Sequence, residues 1–211
     1  LLLWLAGATM LTGVLGAAAQ NEIRKILSFH IISQIGYMIM GLALYTPLAL
    51  AGAVFYLVHH IIVKTNLFLI AGLIARTGRT EQLVNLGGLF RERPFLAILF
   101  AIPALSLGGI PPFSGFWAKL LVIREAFASE AFIAAGAALA VGLLTLFSMV
   151  KIWSEAFWKD SPRESSICGF PSFQYLPVAL LALVTLLLGF FLDPAMEISR
   201  QAAEQLWNQN P

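Results

Sequence analysis

Two lysines stand where lysine is costly. Lys64 lies near the middle of the apolar run Leu48–Ala75, and Lys119 lies inside the run Pro94–Ala126. Charged side chains at bilayer depth are rare and mark ion pathways or proton relays. Around Lys64 the sequence is Tyr56-Leu57-Val58-His59-His60-Ile61-Ile62-Val63-Lys64-Thr65-Asn66. Tyr56, His60 and Lys64 recur at i, i+4 and i+8, so they form one polar stripe on an otherwise greasy helix. Imidazole changes charge near neutral pH, and a desolvated lysine can cycle between ammonium and amine. The stripe therefore carries groups able to gain and lose protons. Snorkelling of Lys64 to the interface fits poorly with its central depth. His59 points about 100° away from His60, toward a neighbouring face. A simple hydrogen bond to another helix accounts for His59 as well as titration does.

Lys119 follows a helix-breaking sequence, Leu107-Gly108-Gly109-Ile110-Pro111-Pro112-Phe113-Ser114-Gly115. Pro111 and Pro112 each remove a backbone donor, and Gly108 and Gly109 release the helix. Free backbone groups at that depth are tolerated only where protein or water satisfies them. Broken helices beside a titratable group recur where transporters bind or relay ions. The plainer alternative is a helix capped at Ser114, with Lys119 facing a polar neighbour. A third cluster follows Arg24 and Lys25: His30, Gln34 and Tyr37 fall at i, i+4 and i+7 on one face, with Ser33 beside them. Such a stripe can hold a chain of waters, or it can hydrogen-bond between helices, and spacing does not separate the two. The carboxylates Glu22, Glu81, Glu92, Glu130, Glu155 and Glu164 all fall in or beside connectors. No acidic ion cage, phosphate loop, dinucleotide motif, haem histidine pair or nucleophile with a base is visible. No metal and no cofactor is expected.

The elements that must position these groups follow from composition. Of 211 residues 59% are apolar and only 11% charged, against roughly 25% charged in soluble domains; mean hydropathy is +0.85. The chain is an integral membrane protein, all-α, a polytopic transmembrane bundle. A single cysteine, Cys168, excludes a disulfide framework, and a net charge of +2 gives no footprint for nucleic acid. A spanning helix needs about 20 apolar residues. Runs of that kind are Leu1–Ala19, Ile26–Thr46, Leu48–Ala75, Pro94–Ala126, Ala131–Trp153 and Tyr175–Leu192. Residues 1–195 form the membrane domain, and 196–211 a short tail carrying an amphipathic helix. The chain opens at Leu1 inside an apolar run, which suggests an N-terminally truncated fragment. As one helix, Pro94–Ala126 would extend roughly 50 Å, against a hydrocarbon core of about 30 Å. It is either one discontinuous crossing or two short passes. A single crossing gathers Arg24, Lys25, Arg76, Arg79, Arg91, Arg93, Lys159 and Arg163 on one side. The positive-inside rule favours that arrangement. The expectation is six passes with basic loops cytoplasmic and the C-terminus outside.

On these residues the sequence resembles the antiporter-like membrane subunits shared by respiratory complex I and the Mrp-type multisubunit Na+/H+ antiporters. The stretches that carry the resemblance are Gln20–His30, Ser33–Met38, His59–Phe68 and Ala104–Lys119. The wording HHIIVKTNLF and GIPPFSGFWAK is most similar to the D-type branch of the Mrp subunits, and the likeness covers essentially the whole chain. The resemblance implies a fold with two inverted repeats, each with a discontinuous helix, of which this chain holds the second. It implies that Lys64 is the central lysine of that repeat and Lys119 the lysine of its broken helix. The basic residue linking two half-channels then falls at Arg24 or Lys25. Protons would move along the membrane mid-plane from there by Lys64 to Lys119, with His60 and His30 assisting. In the Mrp setting that flux drives Na+ or K+ export. The alternatives are a proton-pumping subunit of complex I or of a membrane-bound hydrogenase, and a non-conducting structural subunit. Implied partners are sibling membrane subunits, protons, monovalent cations and the lipid of a bacterial or archaeal cell membrane.

Overall fold

Long uncharged runs of Leu, Ala, Ile and Phe leave their backbone polar groups no partner in lipid but each other, so they coil. The computed structural model describes residues 1–162 and 171–208. Arg163, Glu164 and Cys168, assigned above to a connector or set aside as a lone thiol, lie outside the described residues. The helices are α1 (Leu2–Ala19), α2 (Ile23–Leu44), α3 (Pro47–Gly78), the short α4 (Leu89–Glu92), α5 (Pro94–Gly108), α6 (Ser114–Ala128), α7 (Phe132–Trp153), α8 (Tyr175–Phe190) and α9 (Leu192–Asn208). The end of α7 widens into a π-helical turn, Ser154–Trp158. Among the described residues the one extended pairing is an isolated bridge between Glu22 and Gln82.

Helices α1, α2, α3 and α7 with its π turn are each long and apolar enough to cross a bilayer; α8 and α9 meet that test together, bent by 81°. Helices α5 and α6 have 15 residues each, about 22 Å of rise apiece. Their packing on α3 settles how they cross. The start of α5 follows at once from α4, and Leu86, just before α4, lies against Gly78, the last residue of α3. The end of α6 meets the start of α3, where the Thr46 hydroxyl donates to Glu125 at 2.6 Å and Gly52 lies against Leu121 and Val122. The broken pair therefore runs antiparallel to α3 from end to end, a single discontinuous crossing.

One end of the bundle is tied together through its connectors. Ile23 N–H donates to Glu81 O at 3.0 Å, Leu83 N–H to Asn21 O at 2.8 Å, and Gly88 N–H to Lys159 O at 2.6 Å. Lys151 reaches back to the Ala18 and Gln20 carbonyls at the end of α1, at 3.1 and 2.8 Å. The three basic connectors thus share one end. Large apolar side chains such as Trp4, Ile61, Leu143, Phe147 and Leu180 are exposed around the bundle, as on helices that meet lipid or neighbouring membrane helices. Helix α9 is amphipathic and begins at Leu192. It buries Met196, Ser199 and Ala203, packs against Leu50 and Ala51 of α3, and sets Trp207 beside Tyr45.

Candidate functional site

Helix α5 stops because its last residues run out of donors. Gly109 takes a left-handed conformation (φ 85°) and its N–H closes onto Leu105 O and Ser106 O at 3.1 and 3.0 Å, as helix caps do. In a continuing helix the carbonyls of Leu107 and Gly108 would accept from residues 111 and 112. Both are proline and have no N–H. Lys119 supplies the missing donor: its Nζ lies 2.8 Å from Leu107 O and 3.2 Å from Gly108 O. The face of Tyr37 completes the seat, 5.5 Å from Nζ to the ring centre. The side chain passes close over Gly109, where a Cβ would lie 3.0 Å from Lys119 Cδ. Lys119 is 6% exposed and Lys64 5%.

The polar stripes of α2 and α3 face each other. Lys64 Nζ donates to Leu27 O on α2 at 3.0 Å. The Tyr56 hydroxyl donates to Gln34 Oε1, and Gln34 Nε2 reaches Thr145 on α7 at 3.4 Å. Tyr37 stacks on Tyr56 with ring centres 5.3 Å apart and donates to Ala138 O. His30 is fully buried on α2, one turn ahead of Gln34. Among the described residues neither of its ring nitrogens has a hydrogen-bond partner, and the same holds for Nε2 of His59 and of His60.

His59 faces away from that stripe, toward the break. Its Nδ1 lies 2.8 Å from Ser114 Oγ, which lies 3.2 Å from Ser106 Oγ. Gly115 makes this possible, since a Cβ there would collide with the Ser106 carbonyl. Ser106 and Thr145 were not singled out by sequence. Ser114, expected as a helix cap, is instead the first residue of α6, with Phe113 at the cap position, and its hydroxyl meets His59 and Ser106. Ser114 carried a signal as the hydroxyl two residues after the prolines; Thr145 is one of two hydroxyls in α7, and nothing marked it.

Arg24 and Lys25 separate. Both side chains are well exposed, 48% and 59%, at the basic end of the bundle; Arg24 pairs with Glu81 and Lys25 with Glu22. Only Arg24 lines the ≈ 630 Å³ groove that reaches Lys64 and His60, with Ile31, Thr65 and Phe68 around it. Among the described residues no three His, Cys, Asp or Glu side chains gather where they could hold a metal ion.

Other proteins share this architecture. The chain is 50% identical over 207 residues to the D-type subunit of the Na(+)/H(+) antiporter of Alkalihalophilus pseudofirmus, covering 98% of this chain and 42% of that protein. It superposes on a chain of the Mrp complex from Dietzia sp. DQ12-45-1b with a TM-score of 0.89 at 36% identity, over 99% of this chain and 48% of that one. A chain of respiratory complex I from Thermus thermophilus shares the fold at a TM-score of 0.87 and 24% identity, over 98% and 44%. The chain spans about two fifths of the length of the curated relative it matches. The model of the family described as NADH:quinone oxidoreductase/Mrp antiporter, TM, matches residues 1–153, and the chain belongs to that family.

Proposed function

We propose that this chain carries a proton-conducting segment of a multisubunit monovalent-cation/proton antiporter, with Lys64, His30 and Lys119 as the groups that pass the proton. The observation that carries the reading is that these three are buried on three different helices, and that both lysines are held by carbonyl oxygens and not by a carboxylate. A carboxylate would lock either lysine as an ion pair. Carbonyl oxygens hold an ammonium but bring no countercharge, so each lysine is free to change protonation state. His30, His59 and His60 supply buried ring nitrogens that water can bridge. Arg24, at the mouth of the groove beside Lys64, is the basic residue placed to meet a proton arriving from a neighbouring unit; Lys25 turns away from it. The basic connectors face the cytoplasm, other membrane subunits cover the groove, and Na+ or K+ is the exchanged cation.

The 50% identity to a Na+/H+ antiporter protein, against 24% to the complex I chain, favours antiport over quinone-linked pumping. The test replaces Lys64 and Lys119 singly by Ala in the assembled complex and assays cation-dependent proton flux in vesicles. Each substitution is expected to reduce flux at least tenfold with normal assembly. Normal flux in both would leave a structural scaffold.

A further inference from the structure

We infer that the carbonyl pair at the end of α5 is a seat for one monovalent cation, which the Lys119 ammonium and a dehydrated alkali-metal ion occupy in turn. The inference rests on the antiport reading above and deepens it by locating the second ion. Leu107 O and Gly108 O are stranded by the two prolines four residues ahead, and their donor is the Lys119 ammonium. The Tyr37 face makes a third, electron-rich wall. Two carbonyl dipoles at a helix C-terminus and an aromatic face attract a positive charge of any kind, and half-helix C-terminal carbonyls coordinate Na+ in other transporters.

When the ammonium gives its proton to the pathway, the amine carries no charge and the two carbonyls lose the cation that satisfied them. The amine keeps two N–H groups to donate, but the positive charge that the helix-end dipoles and the ring face attract is gone. An alkali ion shed of part of its water is therefore drawn in, with the Nζ lone pair free to serve as a further ligand. Reprotonation puts a second positive charge beside the ion in a site without a carboxylate, and the ion is expelled. One proton leaves as one cation enters, which is the charge balance of one-for-one exchange. The other titratable groups within electrostatic reach of Lys119 are His30 on α2 and His59 and Lys64 on α3, besides Tyr37 itself. Helix α5 carries none, and Lys151 of α7 and Tyr175 of α8 sit at the basic end. A permanent cation in place of Lys119 should therefore close the seat, and an uncharged side chain of similar length should leave it open at every pH.

The experiment measures equilibrium binding of 22Na+ and 86Rb+ to the purified, assembled complex, at neutral and alkaline pH, for the native protein, Lys119→Arg and Lys119→Met. The native complex is expected to gain one site on going to alkaline pH. Lys119→Arg should lack that site at both values, and Lys119→Met should hold it at both. Retention of the native pH-dependent site in Lys119→Arg, or its absence from assembled Lys119→Met, overturns the inference. Because no flux is read, a lysine relay that fails leaves this result standing, and the reverse also holds.

Discussion

At the scale of single residues, Lys64, Lys119 and Lys151 share one habit: they bond backbone carbonyls. Lys64 takes Leu27 O, Lys119 takes Leu107 O and Gly108 O, and Lys151 takes the carbonyls that end α1. Spacing in the sequence was enough to find Lys64, Lys119 and the His30–Gln34–Tyr37 face. It was not enough to find Ser106 or Thr145, because hydroxyls in membrane helices so often bond a carbonyl of their own helix. Thr145 does so, to Val141 O at 2.8 Å, and also receives Gln34. The residue 100° away from the Tyr56–Lys64 stripe, His59, found a hydrogen bond after all, to Ser114. Ser114→Ala strands His59 Nδ1 in a buried site. A cost of about 1–3 kcal/mol is expected, read as a lowered melting temperature of the purified complex, with Ser114→Thr restoring part of it.

At the scale of elements, the break between α5 and α6 was legible because prolines and glycines act locally. Whether the pair crosses once or twice was not, since nothing local to the run decides it; contacts with α3, distant in sequence, do. The 81° bend between α8 and α9 was obscured for a different reason. Asp193-Pro194 looks like a stop, yet the helix restarts at Leu192, and proline is tolerated in a first turn because its N–H would have no partner there. Helix α1 lies tight on α2 through small residues. A Cβ on Gly13 would lie 2.7 Å from Ser33 Cα, and Ser33 Oγ donates to Met10 O at 3.0 Å. Gly13→Val must push the two helices apart, at about 1–3 kcal/mol. The expected result is reduced recovery of assembled complex from membranes, with Gly7→Val, where a side chain meets open space, close to normal.

At the scale of the whole molecule, charge scarcity becomes an ordering principle. The connectors at 20–25, 79–93 and 154–162 meet at one end, and the α2–α3 and α6–α7 junctions lie at the other. With Cys168 replaced by Ser, a cysteine at Ser129 should react with a membrane-impermeant maleimide in intact cells. A cysteine at Thr80 should react only after permeabilisation. The opposite pattern would reverse the orientation assigned to the basic end. The proposed proton route lies along the mid-plane between those ends, through Lys64, His30 and Lys119. The buried Tyr37, Tyr56 and Gln34 side chains pack on the helices that carry them. Gln34 joins helices there, its side chain tying α2, α3 and α7 together. The most direct test therefore cuts that tie without touching either lysine. In proteoliposomes holding the assembled complex, Gln34→Leu is expected to slow cation-driven proton movement at least tenfold at normal subunit content. A native rate in that variant would contradict the proposed route.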